Sequence, residues 1–365
     1  MSRQRFKTYP VLRPLAFLYG FVTGMRNRLF DTGRIETRRF DLPIISVGNI
    51  SVGGTGKTPM CGYLLNLLRS KGFKPALLSR GYGRKTKGFV EVTSSSTSAE
   101  VGDEPLELYH KFGGGVEVCV CENRCRGAEK MLSYGKDIGS LVLDDAFQHR
   151  YIGRNLDIVL TDYNRLYTRD RVLPEGLLRE RRKGVERADI IVVTKCDEGL
   201  KREQSDRVLA EINPLPHQRV FFTTIDYERV ENPFIEADRL VHGTNKNAPI
   251  CCLESLRLLI FTGIAKPDPL IEHYKKCCNQ VNVLRFGDHH DYTSRELEMI
   301  VREAHNADVV ITTDKDWQRI SHKTPDMLKS KLLIQHIGVK FLFGGQQEFD
   351  HLIIETVRRT IFHNS

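Results

Sequence analysis

The chain has 365 residues, of which 40% are hydrophobic and 28% are charged, and a formal net charge of +9. This length exceeds what one hydrophobic core usually supports, so two domains are expected, and the composition excludes wholesale disorder and a protein with many membrane spans. The positive charge predicts an anionic partner, such as a nucleic acid, a phosphorylated substrate or an acidic membrane surface.

Residues 1–30 contain no acidic side chain and carry six arginine or lysine residues around an apolar run. The run at 14–25 is shorter than the roughly 20 residues that a membrane-spanning helix needs. Its apolar residues recur at three- and four-residue steps, as one stripe of a helix does. The stripe consists of Leu12, Leu15, Leu18, Val22, Met25 and Leu29. The pattern predicts an amphipathic helix on an anionic membrane surface, and leaves open a core helix with solvated arginines.

From residue 43 the chain alternates short β-branched runs with helical segments, a pattern typical of a parallel sheet covered by helices. Strands are predicted at 44–47, 76–78, 116–120, 140–143, 157–160 and 190–193, and helices at 58–71, 105–112 and 124–133. The predicted fold class is α/β, a P-loop NTPase-type doubly wound and mostly parallel sheet, with a second, smaller α/β domain. Ligands of such sheets bind at the carboxyl ends of the strands.

The connection between the two domains is predicted at 226–255, because periodicity weakens from residue 223 to 248 while Pro, Asn, Gly and charged residues accumulate. Beyond it, strands are predicted at 256–261, 281–286 and 309–312, with helices beginning at 270 and 294. The predicted organisation is a membrane-associated helix at 1–30, a core domain at 31–225, and a smaller α/β domain at 256–365.

The sequence Ile-Ile-Ser-Val-Gly-Asn-Ile-Ser-Val-Gly-Gly-Thr-Gly-Lys-Thr-Pro at 44–59 predicts a strand, a glycine-rich turn and a helix. Glycines let backbone N–H groups converge on phosphate oxygens, and the helix N-terminus adds positive partial charge. A lysine then reaches the β- and γ-phosphates, and a threonine hydroxyl reaches Mg²⁺. The strict pattern has glycine where this chain has Ser51. The predicted nucleotide-binding residues are Gly53, Gly54, Thr55, Gly56, Lys57 and Thr58.

A second candidate lies in Ser-Leu-Val-Leu-Asp-Asp-Ala-Phe-Gln-His at 140–149, an apolar strand that ends in two carboxylates. P-loop sites need an acid at the tip of a neighbouring strand to hold Mg²⁺ directly or through water. Asp144 and Asp145 are therefore predicted metal ligands together with Thr58. A strand that ends in Asp-Asp also occurs at ordinary turns and helix caps.

The segment at 189–197 ends in Thr-Lys-Cys-Asp, similar to the guanine-recognising Thr-Lys-x-Asp of GTPases. It keeps a P-loop GTPase or metal-insertion chaperone as an alternative, and a buried strand that ends in a turn as a structural one. GTPases place glycine three residues after the Mg²⁺-linked aspartate, where this chain has Phe147 or Gln148. A nucleic-acid-binding ATPase is a third alternative, although the interleaved basic and aromatic residues typical of single-strand binding are lacking.

Six motifs in combination resemble the tetraacyldisaccharide 4′-kinase family, in family order from about residue 10 to about residue 320. They are the phosphate loop at 47–59, Ser-Arg-Gly-Tyr-Gly-Arg at 79–84, Gly-Asp-Glu-Pro at 102–105, Asp-Asp-Ala-Phe-Gln-His at 144–149, Leu-Arg-Glu at 178–180 and Phe-Gly-Asp-His-His at 286–290. The resemblance implies transfer of the ATP γ-phosphate to the 4′-hydroxyl of a tetraacyl glucosamine disaccharide 1-phosphate in lipid A biosynthesis. It also implies a membrane-associated N-terminal helix.

Residue roles follow from the resemblance by matching positions. It implies that Asp145 and Glu180 act at Mg²⁺ and the reacting phosphate, that Asp103 is the catalytic base, and that His289 is its partner. A carboxylate that accepts the hydroxyl proton suits phosphoryl transfer, and an imidazole beside it orients it. Without the resemblance, Asp103 reads as the cap of a helix beginning at 104–105, and His289 as a turn or surface histidine.

Substrate contacts are predicted at arginines near the motifs and at the two residues after the acids. Arg80, Arg84 and Arg124 are chosen from five plausible arginines, which also include Arg179 and Arg181, as partners of ATP phosphates or the sugar 1-phosphate. Gln148 and His149 follow the acids closely enough to touch substrate. The expected cofactors are ATP and Mg²⁺, and the expected partners are the lipid-linked disaccharide and the anionic inner-membrane surface. No nucleic acid or protein partner is expected, and the predicted location is peripheral, on the cytoplasmic face of the inner membrane.

Overall fold

The computed structural model describes residues 8–134, 137–234, 255–288 and 290–364. The chain divides into two compact units, of which the first combines Met1–Asp226 with Gly338–Ser365 and the second is Tyr227–Ile337. The second unit is thus an insertion between two segments of the first. His289, residues 1–7 of the predicted N-terminal helix and residues 235–254 of the predicted connection lie outside the described residues.

Helices and strands are each numbered in chain order, continuously through both units. They are α1 Arg13–Asp31, β1 Ile44–Gly48, α2 Lys57–Ser70, β2 Pro75–Ser79, β3 Val90–Glu91, α3 Ser98–Val101, α4 Asp103–Lys111, β4 Glu117–Val120, α5 Arg124–Ser133, β5 Ser140–Asp144, β6 Leu156–Asp162, β7 Ile190–Thr194, α6 Arg202–Ile212, β8 Arg219–Glu231, β9 Arg257–Thr262, α7 Asp268–Lys275, β10 Gln280–Arg285, α8 Ser294–Ala304, β11 Val309–Thr313, α9 Asp314–Ile320, α10 Asp326–Lys329, β12 Leu332–Phe341 and α11 Gln346–Asn364.

The sheet of the first unit has the strand order β8-β7-β6-β1-β5-β2-β4-β3. Neighbouring strands are parallel, except that β3 pairs antiparallel with β4. Strands β1, β2, β5, β6 and β7 are buried along their whole length. Burial on both faces explains why their sequences are nearly continuous apolar runs, and the predicted fold class is confirmed.

Helices cover both faces of this sheet. On one face, α2, α4 and α11 contribute side chains such as Leu64, Leu106 and Phe349 to a single hydrophobic core. On the other face, α5 packs Met131 beneath the sheet and α6 packs Val208. The result is a three-layer arrangement with the carboxyl ends of β1, β5, β6 and β7 free to carry a site.

The second unit contains a parallel sheet in the order β10-β9-β11-β12. Strand β9 shows why two layers of helices are needed. Leu258 and Ile260 face a core with α7, whereas Leu259 and Phe261 face a core with α8. Side chains along a strand alternate between faces, so each face of this small sheet is closed by its own helices.

The structure differs from the predicted domain boundaries at both ends of the smaller domain. Strand β8 runs on to Glu231, into the predicted connection, because weak sequence periodicity there belongs to a strand with mixed burial. The chain also returns to the first unit at Gly338, whereas the prediction placed 256–365 together. The physical reason is α11, whose Phe349, Ile353 and Val357 are buried in the core of the first unit.

Helix α1 turns its large apolar side chains outward. Phe17, Leu18 and Val22 are 70%, 59% and 57% exposed, whereas the buried positions include the small residues Ala16 and Gly20. A core helix would bury the apolar stripe, so the structure does not support that alternative for the described part of the helix. Within the described ranges, none of the helices has both the length and the apolarity required to cross a bilayer.

Candidate active site

The glycine-rich loop leaves β1 at the middle of the sheet and enters α2 at Lys57. Gly53 and Gly56 have φ values of +114° and +86°, which residues other than glycine rarely adopt. Asn49 is fully buried and braces the loop from inside, because its Nδ2 donates a hydrogen bond to Thr55 Oγ1 at 2.7 Å. The loop therefore has the strand, turn and helix arrangement that phosphate binding requires.

Ser51, the departure from the strict glycine pattern, lies where a second segment docks on the loop. It forms an antiparallel bridge with Leu178, and Arg179 N donates to Ile50 O at 2.7 Å. Val52 N donates to Leu177 O at 2.8 Å. This backbone pairing fixes Arg179 and Glu180 beside the phosphate loop, although they are more than a hundred residues away in the sequence.

Asp144 and Asp145 stand at the end of β5, the strand next to β1. Asp144 is buried and accepts a hydrogen bond from Ser79 Oγ at 2.9 Å. Burial, followed by the charges of Glu104 and Asp145, raises the pKa of Asp144 to about 6. The carboxylates of Asp144, Glu104 and Asp145 thus create a negative field at the strand end that protonation or a cation relieves.

Asp145 has a different electrostatic environment from its neighbour. Arg179 Nη1 donates to both of its carboxylate oxygens at 2.8 and 2.9 Å, and Lys57 Nζ lies 3.8 Å from Oδ1. Burial favours protonation, but the charges of Lys57 and Arg179 outweigh it and hold the pKa of Asp145 below its ordinary value. The backbone at Asp145 has a φ of +47°, a conformation that residues with a Cβ rarely adopt.

These residues fit a magnesium ion shared with nucleotide phosphates. Mg²⁺ prefers one or two carboxylates together with hydroxyl, water and phosphate oxygens, and Asp144, Asp145 and Thr58 are oxygen donors of this kind. Thr58 is buried in the first turn of α2. Among the described residues, no three His, Cys, Asp or Glu side chains are grouped as a metal site on their own.

Glu180 is instead held by hydrogen-bond donors on both oxygens. Arg187 Nη2 lies 3.0 Å from Oε1 and 2.9 Å from Oε2, Asn27 Nδ2 donates to Oε2 at 2.8 Å, and Gln148 Nε2 donates to Oε1 at 3.0 Å. The same Gln148 nitrogen donates to Asn49 O at 2.9 Å. Glu180 therefore connects α1 to the start of the phosphate loop, and its role as a metal ligand stays a prediction.

Two of the three predicted substrate arginines have protein partners. The Arg84 side chain is 3% exposed and pairs with Glu122 at 2.7 Å. Arg124 is 2% exposed, and its Nη2 donates to Asp144 O at 2.9 Å. Both guanidinium groups hold backbone or side-chain oxygens near the strand ends, whereas Arg80 is exposed at the end of β2. The structure leaves Arg80 in the best position for the predicted contact.

His149 lies in a strongly positive part of the site. Burial, then the charges of Arg124, Arg154, Arg26 and Arg80, lower its pKa to about 4. Arg26 comes from α1, and its Nη2 donates to Gln148 O at 3.1 Å. An imidazole that stays neutral among several guanidinium groups indicates a positive potential, which suits an anionic group of a ligand.

Asp103 is the first residue of α4 and is 9% exposed. The residue at the N-cap is Gly102, so Asp103 is not the cap expected from sequence alone. A Cβ on Gly102 would lie 3.0 Å from Tyr82 O, and its φ is +92°. This close approach brings the motif at 79–84 against the motif at 102–105. His289, the predicted partner of Asp103, lies outside the described residues.

Sequence reasoning missed Arg179 as the partner of Asp145, and missed how Thr194 and Lys195 contact the loop. From sequence, Arg179 is one of five plausible substrate arginines, but its place beside Glu180 in the Leu-Arg-Glu motif is a usable signal. Thr194 Oγ1 donates to Thr55 O at 2.8 Å, and Lys195 Nζ contacts Gly54 O. The Thr-Lys-Cys-Asp segment, read from sequence as guanine recognition or a simple strand end, therefore touches the phosphate loop directly.

The fold and the site together define a P-loop phosphoryl-transfer protein: a loop on the central strand, a lysine, and two carboxylates on the neighbouring strand. Comparison with known proteins gives the family. The family described as Tetraacyldisaccharide-1-P 4'-kinase (LpxK) matches residues 8–358. The chain belongs to this family, and the predicted resemblance is confirmed.

Individual relatives agree with this assignment. A Tetraacyldisaccharide 4'-kinase of Bacteroides thetaiotaomicron is 37% identical, covering 100% of this chain and 97% of that protein. A Tetraacyldisaccharide 4'-kinase of Flavobacterium johnsoniae is 40% identical over 96% of this chain and 98% of that protein. The crystal structure of LpxK from Aquifex aeolicus in complex with ATP is similar with a TM-score of 0.71 and 27% identity, covering 98% of this chain and 100% of that one.

Proposed function

We propose that this chain transfers the γ-phosphoryl group of ATP to the 4′-hydroxyl of a tetraacyl glucosamine disaccharide 1-phosphate, which makes it a kinase of lipid A biosynthesis. The observation that carries the proposal is the phosphate loop beside the Asp144–Asp145 pair, in a chain that the kinase family matches over residues 8–358. Both the nucleotide loop and the acids lie at the carboxyl edge of one sheet, where α/β folds bind ligands.

The ATP phosphates would lie against the amides of the loop and the N-terminus of α2, with Lys57 on the β- and γ-oxygens. Thr58, Asp144 and Asp145 would hold Mg²⁺, which when bound neutralises charge on the phosphates. Asp145 also fixes Lys57 and Arg179, which lie 3.8 and 2.8 Å from its Oδ1. The pair thus keeps two cations directed at the site, so that little rearrangement is needed as charge develops.

Asp103 is the proposed general base. As the 4′-oxygen forms a bond to the γ-phosphorus, the bond from that phosphorus to the bridging oxygen breaks, ADP leaves, and the hydroxyl proton passes to the Asp103 carboxylate. Its place at the start of α4, where the segment at 102–105 meets the Ser-Arg-Gly-Tyr-Gly-Arg segment at 79–84 beside the strand ends, supports this assignment. We assign His289 the role of orienting Asp103, as the family resemblance implies.

The positive region around His149 is the proposed site of the sugar 1-phosphate. The charges of Arg26, Arg80, Arg124 and Arg154 all act on the His149 ring, and a phosphate would balance them. Arg80 is the exposed member and so the direct partner. A phosphate held there would orient the disaccharide relative to Asp103 and the loop.

The exposed apolar face of α1 is proposed to lie in the cytoplasmic leaflet of the inner membrane, where the acyl chains of the substrate reside. Phe17, Phe21 and Leu18 project from it, and an interfacial helix buries such side chains at the level of the acyl chains. Hydrogen bonds from Asn27 to Glu180 and from Arg26 to Gln148 O join the helix to the active site. The helix would thereby hold the site at the surface where the substrate emerges.

The test is a transfer assay with γ-labelled ATP, Mg²⁺ and the tetraacyl disaccharide 1-phosphate in mixed micelles. Label should appear on the 4′-oxygen, and a purified protein that binds ATP but leaves this acceptor unlabelled would contradict the proposal. Asp103→Ala should lower the rate of transfer by about a hundredfold or more, as loss of a general base does, while the Kd for ATP stays within twofold. A fully active Asp103→Ala variant would remove Asp103 from the mechanism.

A further inference from the structure

The carboxyl end of β7 contacts the phosphate loop from behind. Thr194 is the last residue of that strand, is 5% exposed, and donates its hydroxyl proton to Thr55 O at 2.8 Å. The next residue, Lys195, places its ammonium group on Gly54 O. Two successive carbonyls of the loop thus receive hydrogen bonds from two successive side chains.

The surroundings hold both donors in place. Thr194 Oγ1 also lies 3.3 Å from Thr161 O on the neighbouring strand, and Lys195 Nζ lies 3.8 Å from Asp162 Oδ2. Lys195 has a φ of +56°, an unfavourable backbone conformation for a residue with a Cβ. A lysine kept in this conformation at a strand end indicates a position where the direction of the side chain matters.

The effect on the loop follows from the geometry of the peptide bond. In a trans peptide, the C=O of one residue and the N–H of the next point in opposite directions. Because Gly54 O points toward Lys195, the Thr55 N–H points away from β7. Because Thr55 O points toward Thr194, the Gly56 N–H also points away from β7. Those amides belong to the turn that meets nucleotide phosphates. A flipped peptide would instead present a carbonyl lone pair to an anion.

We propose that Thr194 and Lys195 are positioning residues for ATP. They fix the direction of two phosphate-binding peptide groups and do not themselves take part in phosphoryl transfer. The inference rests on the proposed function, because it assumes that ATP binds in the loop. It also assigns the Thr-Lys-x-Asp segment a role that needs no guanine. ATP affinity therefore depends on a hydroxyl and an ammonium group that lie on the far side of the loop.

The experiment measures the Kd for ATP by calorimetry, and the KM for ATP and for the lipid acceptor, in four full-length variants. Thr194→Val removes the hydroxyl at nearly constant volume, and Thr194→Ser restores it. Lys195→Met removes the ammonium group at similar length. Lys340→Met is the matched control, because Lys340 pairs with Glu198 at 2.6 Å in the same unit and its side chain is 52% exposed.

The Kd for ATP should rise about three- to tenfold in Thr194→Val and about tenfold in Lys195→Met, as expected for lost neutral and charged hydrogen bonds. Thr194→Ser and Lys340→Met should bind ATP as the unchanged protein does, and the KM for the lipid acceptor should stay constant in all four. If Thr194→Val fails to fold, Lys195→Met with its partly exposed side chain decides the matter.

Unchanged ATP affinity in both Thr194→Val and Lys195→Met would overturn the inference, even if either variant unfolded at a lower temperature. An equal rise in the KM for ATP and for the lipid acceptor would also overturn it, because that result indicates general damage to the unit. If the unchanged protein binds no ATP, the proposed function fails together with this inference. If it binds ATP and the variants match it, only this inference fails.

Discussion

Asp144 and Asp145 are adjacent in the sequence, yet their pKa values are shifted in opposite directions. Burial, Glu104 and Asp145 raise the pKa of Asp144 from 3.8 to about 6, whereas Lys57 and Arg179 overcome burial and lower that of Asp145. A raised carboxyl pKa means that the folded state binds the proton more tightly than the unfolded state. The folded state therefore loses stability on this account as the pH rises through the interval between 3.8 and about 6.

Asp144→Asn should therefore stabilise the protein in the absence of nucleotide and metal. At pH 7.5 we expect the free energy of unfolding to rise by on the order of 1 to 3 kcal/mol. The gain should shrink as the pH falls below about 6, because the wild-type carboxyl group is then protonated. Unfolding in urea across this pH range measures the effect.

Asp145→Asn is the matched control for this prediction. It removes a carboxylate whose pKa is held below its ordinary value by Lys57 and Arg179, so the free energy of unfolding at pH 7.5 should fall. Both variants should lose phosphoryl transfer, which separates catalytic from energetic effects. If both changed stability in the same direction, the electrostatic difference between the two carboxylates would be refuted.

Glu180 provides a second test at the level of one residue. Its side chain is 4% exposed and bonded to Arg187 at 2.9 Å, so Glu180→Gln leaves a guanidinium group with no carboxylate partner. We expect the free energy of unfolding to fall by about 3 kcal/mol without any metal present. Thermal unfolding in EDTA measures it, with the exposed Glu186→Gln in the same segment as a control. A variant as stable as wild type would contradict this structural role of Glu180.

Among the elements, the strands and helices that carry the site were predictable because their sequences are uniform. β1, β2, β5, β6 and β7 are buried on both faces, so apolar runs identify them. Strand β8 was not predicted from sequence, because its residues change from buried to exposed along its length. No local pattern reports such a change, since it depends on where the chain leaves one unit for the other.

The residues of the site were easier to predict from sequence than the contacts between them. Lys57, Thr58 and the two aspartates follow from a motif, but the pairing of Arg179 with Asp145 depends on a backbone bridge between Ser51 and Leu178. For Arg84 and Arg124 the motif identifies the residues but not their role, because a sequence does not distinguish an arginine that stabilises the fold from one that binds a substrate. Their burial and their protein partners, which the structure shows, make this distinction.

Helix α1 yields a prediction at the element scale. Phe17 and Phe21 are 70% and 48% exposed on its outer face, so Phe17→Ser with Phe21→Ser should weaken binding to anionic phospholipid vesicles by about tenfold or more. The unfolding temperature should change little, since most of the Phe17 side chain and about half of the Phe21 side chain lie in solvent. Co-flotation with vesicles at a fixed salt concentration measures the binding.

Phe362→Ser is the control for this surface. Phe362 is 78% exposed on α11, at the other end of the chain, and its loss should leave vesicle binding unchanged. Equal co-flotation of the wild type and the α1 double variant would contradict the proposed membrane contact. An equal loss with Phe362→Ser would indicate nonspecific hydrophobic adsorption instead.

At the scale of the whole molecule, the first unit is formed by two segments of the chain, on either side of the second unit. Helix α11 contributes Phe349, Ile353 and Val357 to the core that also contains Leu64 of α2 and Phe221 of β8. The helix that directly follows the phosphate loop is thus packed against the last helix of the chain. Stability of the nucleotide-binding unit therefore depends on residues that follow the inserted second unit.

Phe349→Ala should destabilise the first unit selectively. Phe349 is fully buried, and its truncation leaves a cavity that costs about 3 to 5 kcal/mol. Hydrogen exchange should therefore accelerate in α2 and β1, while β9 and β10 of the second unit keep their protection. This selective acceleration is the expected result.

Phe362→Ala is the control on the same helix, because Phe362 is exposed, and it should change exchange in neither unit. Acceleration confined to β9 and β10 would instead mean that α11 stabilises the smaller unit. ATP should restore protection in α2, because a ligand that binds only the folded loop stabilises the unit that carries it.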